Sequence, residues 1–454
     1  MFVRTRLVIW FLIMILLATM VSQAGAEMLS QAAEVPKAEV PKKINPGTDQ
    51  TPPPGVNIQS PSAVLIDFGT GTILYEKDAK VQRPPASITK VMVILLAMEA
   101  IRDGKIFWQD KVKGTQESSR MGGSQIWLEV GEEFTLEQMM MALSIVSAND
   151  AAVAVGEHIA GTHEAFVMMM NERARQLGMK DTVFKNATGL PEEGHITTAY
   201  DIALMSRELL KYPKIHDWLT VWLTYMERPD GTSVELKNTN RLIRTYPGAD
   251  GLKTGWTNEA NYGMSATAKR GDFRLISVVL GAPSSEIRNT DASRLMDWGF
   301  ANWASRKVSD KGQVWGEIKV QKGNPEKIGM AASEELFLLA RKGKLGEPKI
   351  ELKVPRTVTA PLRKGQEIGY LAAVQDGKVM AQVPLVAQEE VFRAGSGSLI
   401  WRLIKWWLRA GRVPAAPDEK APPAPDTPGK PGLVPGSPAP KEPAKAPAPA
   451  PSTR

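Results

Sequence analysis

Three short strings constrain this chain more than anything else in it: Ser87-Ile88-Thr89-Lys90, Ser147-Ala148-Asn149 and Lys253-Thr254-Gly255. They lie far apart in sequence, and their chemistry is useful only if the fold brings all three to one place. Ser87 and Lys90 stand at the start of a stretch, running to about Arg102, that is almost wholly apolar and free of breakers once Pro84-Pro85 is passed. That pattern fits a buried helix, and residues three apart on a helix share a face. A serine hydroxyl is a weak nucleophile until a base takes its proton. Lysine can be that base only where burial or a neighbouring cation destabilises its ammonium form. The apolar helix would supply the burial, and Lys253 is the candidate neighbouring cation. Free N–H groups and the positive end of the helix would favour a developing oxyanion at Ser87. The plainer alternative is a capping serine with an exposed lysine one turn on.

The other two strings carry the same double reading. Ser147-Ala148-Asn149 interrupts a helical pattern that runs from Leu136 to Ala160. It is either a loop between two helices, or a pair in which Ser147 relays a proton and the Asn149 amide orients Lys90 and a substrate carbonyl. Lys253-Thr254-Gly255 follows Pro247-Gly248-Ala249-Asp250-Gly251. Lys253 would attract a carboxylate and Thr254 would hydrogen-bond it, while Gly255 fits a strand that a substrate backbone approaches closely. Alternatively this is an ordinary edge strand, with Asp250-Gly251 only a turn before it.

Competing chemistries lack their signatures. The histidines are His158, His163, His195 and His216, and they form no H-E-x-x-H pair; nor is there a G-x-S-x-G elbow. A zinc peptidase or a Ser-His-Asp hydrolase is therefore not indicated. His158 and His163 read as surface or packing residues, and His195, beside Gly194, reads as a loop residue near the site. The chain has no cysteine, which excludes disulfides, thiolate metal sites and a cysteine nucleophile. No metal and no cofactor are expected.

At 454 residues the chain is long enough for two domains with extensions. Arg4 and Arg6, an apolar run from Leu7 to Val21 and then Ala24-Gly25-Ala26 are the parts of a secretory signal, expected at 1–26. Residues 27–56 read as a flexible lead-in rich in Pro, Ala, Lys and Glu. Residues 57–305 begin with a hairpin (Ala63–Asp67, then Thr72–Tyr75), continue through helical segments and return to strands near Leu252 and at Arg274–Leu280. A helix from Asp291 to Trp303 closes the domain. That order predicts an α+β domain, an antiparallel sheet flanked by helices. Short alternating runs then predict a small all-β domain at 306–392.

Past a Gly-Ser hinge, residues 397–412 project Arg402, Lys405, Arg409 and Arg412 onto one side of a helical wheel. Leu399, Ile400, Leu403, Ile404, Trp407 and Leu408 fill the other side, with Trp401 and Trp406 at the borders. This is the pattern of a helix lying on an anionic membrane surface, too short and too charged to span it. Residues 413–454 are a tail of Pro, Ala and Lys with no expected fold. Loss of Arg4 and Arg6 with a signal lowers the formal charge from +7 to about +5. That excess suits an anionic envelope, and no nucleic-acid partner is indicated.

The three strings, in this order, resemble those of the low-molecular-mass penicillin-binding proteins, specifically the serine D-alanyl-D-alanine carboxypeptidases of peptidase family S11. Further matches are Arg83-Pro84-Pro85-Ala86, Asp150-Ala151-Ala152, Asn186-Ala187-Thr188-Gly189-Leu190-Pro191, Gly248-Ala249-Asp250-Gly251-Leu252 and Asp297-Trp298-Gly299-Phe300. The resemblance implies a β-lactamase/transpeptidase-like domain ahead of the small β domain. It implies an exported enzyme that trims the last D-alanine from peptidoglycan stem peptides through an acyl-enzyme on Ser87, with Lys90 as base and Ser147 and Asn149 assisting. β-Lactams would acylate the same serine. The N–H groups of Ser87 and Trp256 would form the oxyanion hole, and Lys253, Thr254 and, by a looser match, Arg288 would hold the terminal carboxylate. Trp256 departs from relatives that carry histidine there. Alternatives on the same scaffold are a class A-like β-lactamase, a DD-endopeptidase and a non-enzymatic wall-binding scaffold.

Overall fold

The computed structural model describes residues 56–394, which lie within one compact unit. The expected signal, lead-in, amphipathic helix and tail lie outside the described residues. Five strands form the central sheet: β1 (Ser62–Asp67), β2 (Ile73–Lys77), β3 (Ala249–Thr257), β4 (Asn261–Arg270) and β5 (Phe273–Ala282). Their order is β2-β1-β5-β4-β3, and every neighbouring pair is antiparallel. The expected antiparallel sheet flanked by helices is therefore present, with β3 at one edge.

The inner strands are buried on both faces, which is why they read as continuous apolar runs rather than as alternation. Val64, Ile66, Ile276 and Val278 face one core with α1 (Lys90–Arg102), α2 (Leu136–Ile145), α3 (Asn149–Ala160), α4 (His163–Leu177) and α5 (Ala199–Leu209). Ala63, Leu65, Leu275 and Val279 face a second core under α6 (Ser285–Asn302). In α1, eleven of the thirteen residues are buried, so this helix is enclosed rather than amphipathic. Its Glu99 is held by Arg173 of α4 through Nη2 at 2.6 Å and Nε at 3.0 Å, which pairs the one acidic group the helix buries.

α6 begins earlier than expected. Ser284 caps it by accepting a hydrogen bond from the Ile287 N–H, and the helix stops at Asn302, with Trp303 already extended. The all-β part follows directly: β6 (Trp303–Ser309), β7 (Val314–Gln321), β8 (Lys327–Ala332), β9 (Leu336–Arg341), β10 (Lys349–Lys353), β11 (Thr357–Thr359), β12 (Glu367–Gln375) and β13 (Lys378–Ala387). Six of these make a sheet of order β10-β12-β13-β8-β7-β11, and β6 pairs with β9. Phe337 of β9 lies edge-on to Phe68 and against Gly69 in the β1–β2 turn, and Arg341 stacks on Trp303 at 4.1 Å. The small β part is thus packed onto the central sheet's first hairpin. Among the described residues no helix is long and apolar enough to cross a membrane.

Gly299 shows why one position of the Asp297–Phe300 string is glycine. A Cβ there would stand 2.6 Å from Leu275 Cδ1 and 2.9 Å from Leu65 Cδ2, because α6 lies close upon the sheet. Gly299→Ala should therefore destabilise the fold by about 1–3 kcal/mol through overpacking, despite alanine's better helix propensity. Urea denaturation followed by tryptophan fluorescence would show a lowered midpoint; an unchanged or raised midpoint would contradict this packing.

Candidate active site

The turn that carries Ser87 is tight and strained. Pro84-Pro85 ends the preceding segment and Ala86 takes a left-handed φ of 48°. A 3₁₀ turn then spans Ala86–Thr89 before α1 begins at Lys90. The sequence pattern led to a helix starting at Ser87; the first turn is instead wound more tightly. A non-glycine residue in the left-handed region persists only where its surroundings over-determine it. Here two glycines press on the turn. A Cβ on Gly189 would fall 1.9 Å from the Ala86 carbonyl oxygen, and one on Gly255 would fall 3.1 Å from Ser87 N. The expectation for Gly255 was close approach by substrate; the backbone that approaches it in the structure is the protein's own.

Lys90 is fully buried. Its Nζ lies 3.0 Å from Ser87 Oγ and donates to the Thr188 carbonyl at 2.6 Å. Burial, and secondly the charge of Lys253, hold its pKa well below that of an ordinary lysine, while Asp150 opposes them. A neutral amine has two N–H bonds and one lone pair. With one N–H committed to Thr188, the lone pair is available to the Ser87 hydroxyl.

Ser147 lies in the short connection between α2 and α3, and Asn149 is the first residue of α3, so the string does link two helices. Ser147 is left-handed, with φ 68°, and its buried Oγ has no hydrogen-bond partner among the described residues. The Asn149 amide nitrogen donates to the Gly122 carbonyl at 2.6 Å, and its Oδ1 is unpartnered. Asn149 therefore does not orient Lys90, contrary to expectation; the Thr188 carbonyl takes that place. Buried polar atoms without partners are rare and concentrate where a protein does chemistry.

Lys253 is 2% exposed, and its Nζ donates to the Thr254 carbonyl at 2.9 Å. Burial, then the Arg288 charge, lower its pKa to about 7. Arg288, in the first turn of α6, is buried 6.0 Å from the Tyr262 ring centre and donates to the Asn289 side chain. Its own pKa falls to about 10, chiefly through burial, with Arg241 adding a like charge. Thr254 donates to Thr239 Oγ1 at 2.7 Å. The Trp256 side chain is exposed and sits across from Tyr262, 6.0 Å between ring centres. Asp250 is not a turn residue: β3 already includes it, and Arg274 grips its carboxylate with two contacts of 2.7 Å.

Sequence reasoning missed several contributors. Thr188 acts through a backbone carbonyl, which no side-chain pattern announces, although its string was noted. Thr239 and Arg241 come from a loop with no motif of its own. His195 was placed near the site as a loop residue; it is buried, and its Nε2 lies 3.0 Å from Thr89 Oγ1 inside the serine turn. His163 is more than packing: the Ala187 N–H donates to its Nε2 at 3.1 Å, and its Nδ1 faces Glu117. It thereby props the segment that presents the Thr188 carbonyl. Among the described residues there is no cluster of three side chains suited to a metal ion.

Residues 47–284 match the peptidase S11 family, described as D-alanyl-D-alanine carboxypeptidase, and residues 303–393 match the C-terminal domain of penicillin-binding protein 5. The chain is 42% identical to D-alanyl-D-alanine carboxypeptidase DacF of Bacillus subtilis, over 77% of this chain and 90% of that one. It is 30% identical to the Escherichia coli carboxypeptidase DacA, over 74% and 85% of the two chains. The crystal structure of penicillin binding protein 5 from Haemophilus influenzae superposes with a TM-score of 0.61 at 30% identity, covering 76% of this chain and 99% of that one. With its fold, its β domain and its serine–lysine pair in one place, the chain belongs to the peptidase S11 family of serine D-alanyl-D-alanine carboxypeptidases.

Proposed function

We propose that this protein removes the terminal D-alanine from peptidoglycan stem peptides, with Ser87 as the nucleophile and Lys90 as its base. The observation that carries this is the 3.0 Å approach of a buried Lys90 Nζ to Ser87 Oγ. Edge strand β3 lets an extended peptide lie antiparallel beside it. Lys253, Thr254 and Arg288 receive the terminal carboxylate. Ser87 Oγ gives its proton to Lys90 and attacks the penultimate carbonyl, whose oxyanion is met by the N–H groups of Ser87 and Trp256. The C–N bond breaks as a proton passes from Lys90, by way of Ser147, to the leaving amine, and free D-alanine departs. Water, deprotonated by Lys90, then attacks the ester and restores Ser87. Asn149 helps hold the acyl chain through its free Oδ1. β-Lactams acylate the same serine.

The same reading places the protein outside the cytoplasm, with residues 397–412 docked on the membrane. The support is the basic and apolar division of that segment together with the leader-like N-terminus.

Ser87→Ala should abolish both D-alanine release from a pentapeptide ending in D-Ala-D-Ala and covalent labelling by fluorescent penicillin. Labelling at the wild-type level would remove Ser87 from its role. Lys90→Gln should lower acylation by roughly 10²–10⁴-fold.

The pH dependence follows from the cations. Lys90 works in its neutral form, so acylation rises with pH as that amine loses its proton. Lys253 lowers the Lys90 pKa by repulsion; Lys253→Ala should therefore move the acid limb of penicillin acylation to higher pH, by up to about one unit. A limb that stays put or moves down would separate the two lysines.

The chain from residue 27 onward should co-sediment with phosphatidylglycerol vesicles, more weakly as salt rises, and truncation after residue 394 should abolish it. Equal sedimentation of both forms would rule out the membrane-docking segment.

A further inference from the structure

The turn that meets Lys90 is closed on itself. Asn186 Oδ1 accepts from the Thr188 N–H, the Thr188 hydroxyl and the Gly189 N–H, at 3.2, 2.9 and 2.8 Å. The Asn186 amide in turn donates to the Leu190 carbonyl at 3.1 Å. Side-chain bonds of this kind make a short loop behave as one rigid piece. That piece touches the site twice. Its Thr188 carbonyl accepts from Lys90 Nζ at 2.6 Å, and its Gly189 lies against the Ala86 carbonyl of the serine turn. A rigid turn moves as a whole, so whatever anchors it sets where both contacts fall.

One anchor is His163, the first residue of α4. The Ala187 N–H donates to its Nε2 at 3.1 Å. A backbone N–H can only donate, so Nε2 offers its lone pair and the ring proton sits on Nδ1, which faces Glu117 Oε1 at 2.5 Å. The tautomer is thus fixed from both sides. Glu117 belongs to the short helix Gln116–Ser119, and the chain leaving that helix carries Gly122, whose carbonyl accepts from the Asn149 amide. Thr115, which caps the same helix, donates to Glu157 of α3 at 2.8 Å. His163 therefore stands between the turn that meets Lys90 and the loop that meets Asn149.

Resting on the carboxypeptidase reading above, we infer that His163, with Glu117, is a positioning residue for acylation: it fixes the Thr188 carbonyl against Lys90 and ties that carbonyl to the Asn149 loop. The neutral Lys90 amine can turn about its last C–N bond. With one N–H directed at Thr188, its lone pair is held toward Ser87 Oγ. If the Ala187 N–H loses its acceptor, the turn is free to shift, and the amine follows its carbonyl away from the hydroxyl. The groups expected to bind substrate, Lys253, Thr254 and the Trp256 N–H, lie on β3, which this strut does not touch through any of the bonds above. The role therefore falls on the rate of the covalent step and not on binding before it.

The test uses the full chain in detergent and follows acylation by fluorescent penicillin over a range of concentrations, which separates the maximal rate from the half-saturating concentration. His163→Leu fills the space without an acceptor and should lower the maximal rate about 10–100-fold. Its half-saturating concentration should stay within about twofold. His163→Gln, whose amide can both accept from Ala187 and donate to Glu117, should recover most of the rate. Glu117→Ala, at a carboxylate 41% exposed and so tolerant of change, should show the same signature at roughly 3–10-fold. Complete labelling at long times shows that each variant is folded. A Leu variant or a Glu117 variant that labels at the unsubstituted rate, a Gln variant no faster than Leu, or a loss confined to the half-saturating concentration would overturn the assignment. An unsubstituted chain that neither labels nor releases D-alanine would instead defeat the carboxypeptidase reading, and the strut's role with it.

Discussion

The Lys90 ammonium would be untenable in its present surroundings. The side chain is fully buried, and what meets its Nζ is a hydroxyl and a carbonyl rather than a carboxylate. Asp150 opposes this by its charge, but its carboxylate is engaged by the N–H groups of Ile126, Leu128 and Ala151. Placing an unpaired charge in such a site costs several kcal/mol, and loss of a proton relieves that cost. The apolar sequence of α1 is therefore part of the chemistry. Each buried valine, leucine and methionine around Lys90 keeps water out and the amine neutral, so the residues that hold the core together also set its protonation.

That neutrality would be useless without placement, and placement is where backbone strain enters. Ala86 and Ser147 both sit at positive φ, at 48° and 68°. Each costs of order 1–3 kcal/mol and is held by neighbours that leave no alternative. Gly189 and Gly255 enclose the Ala86 turn from two elements, while α3, which starts at Asn149, is fixed by the Asn149 N–H donating to the Ser124 carbonyl at 2.7 Å. Behind β3, Lys253 is opposite Ser265 of β4, and Ser265 bonds Ser206 of α5 at 2.8 Å. Helix, loop and strand are thus pinned to one another away from the site, which leaves Ser87, Ser147 and Lys253 little freedom to drift.

How much of this was legible in the sequence follows from the range of each interaction. Ser87 and Lys90 are neighbours on one turn, so their spacing permits the pairing, and the apolar run after them favours a buried lysine over an exposed one. The hairpin, the helical middle and the returning strands are also local patterns, and they suffice for an antiparallel sheet with helices. The partner of Lys90 was not legible, because Thr188 contributes a carbonyl and any residue has one. Asn149 has the right chemistry to orient Lys90, but a backbone acceptor at Gly122 claims its amide, and only the loop's path decides that. The early start of α6 was in principle readable: Ser284 is a good cap, but the apolar pattern attracted the boundary to Asp291. Within the β part, β7 pairs in parallel with β11, and no short-range signal distinguishes that pairing from an antiparallel one.

The electrostatics of the cleft then follow from one strand. Along β3 the buried cation Lys253, supported by Arg288 and Arg241, lies before the serine turn, and the carboxylates of Glu192, Glu193 and Glu259 gather beyond it. Neither group touches the other, so their charges do not cancel; they set up a field directed along the strand. Burial lowers both amines, Lys253 to about 7, and the Lys253 charge depresses Lys90 further, so the two amines act on each other. Neutralising Lys253 would weaken the positive pole and raise the basicity of Lys90 together, so a change at the one amine is felt at the other.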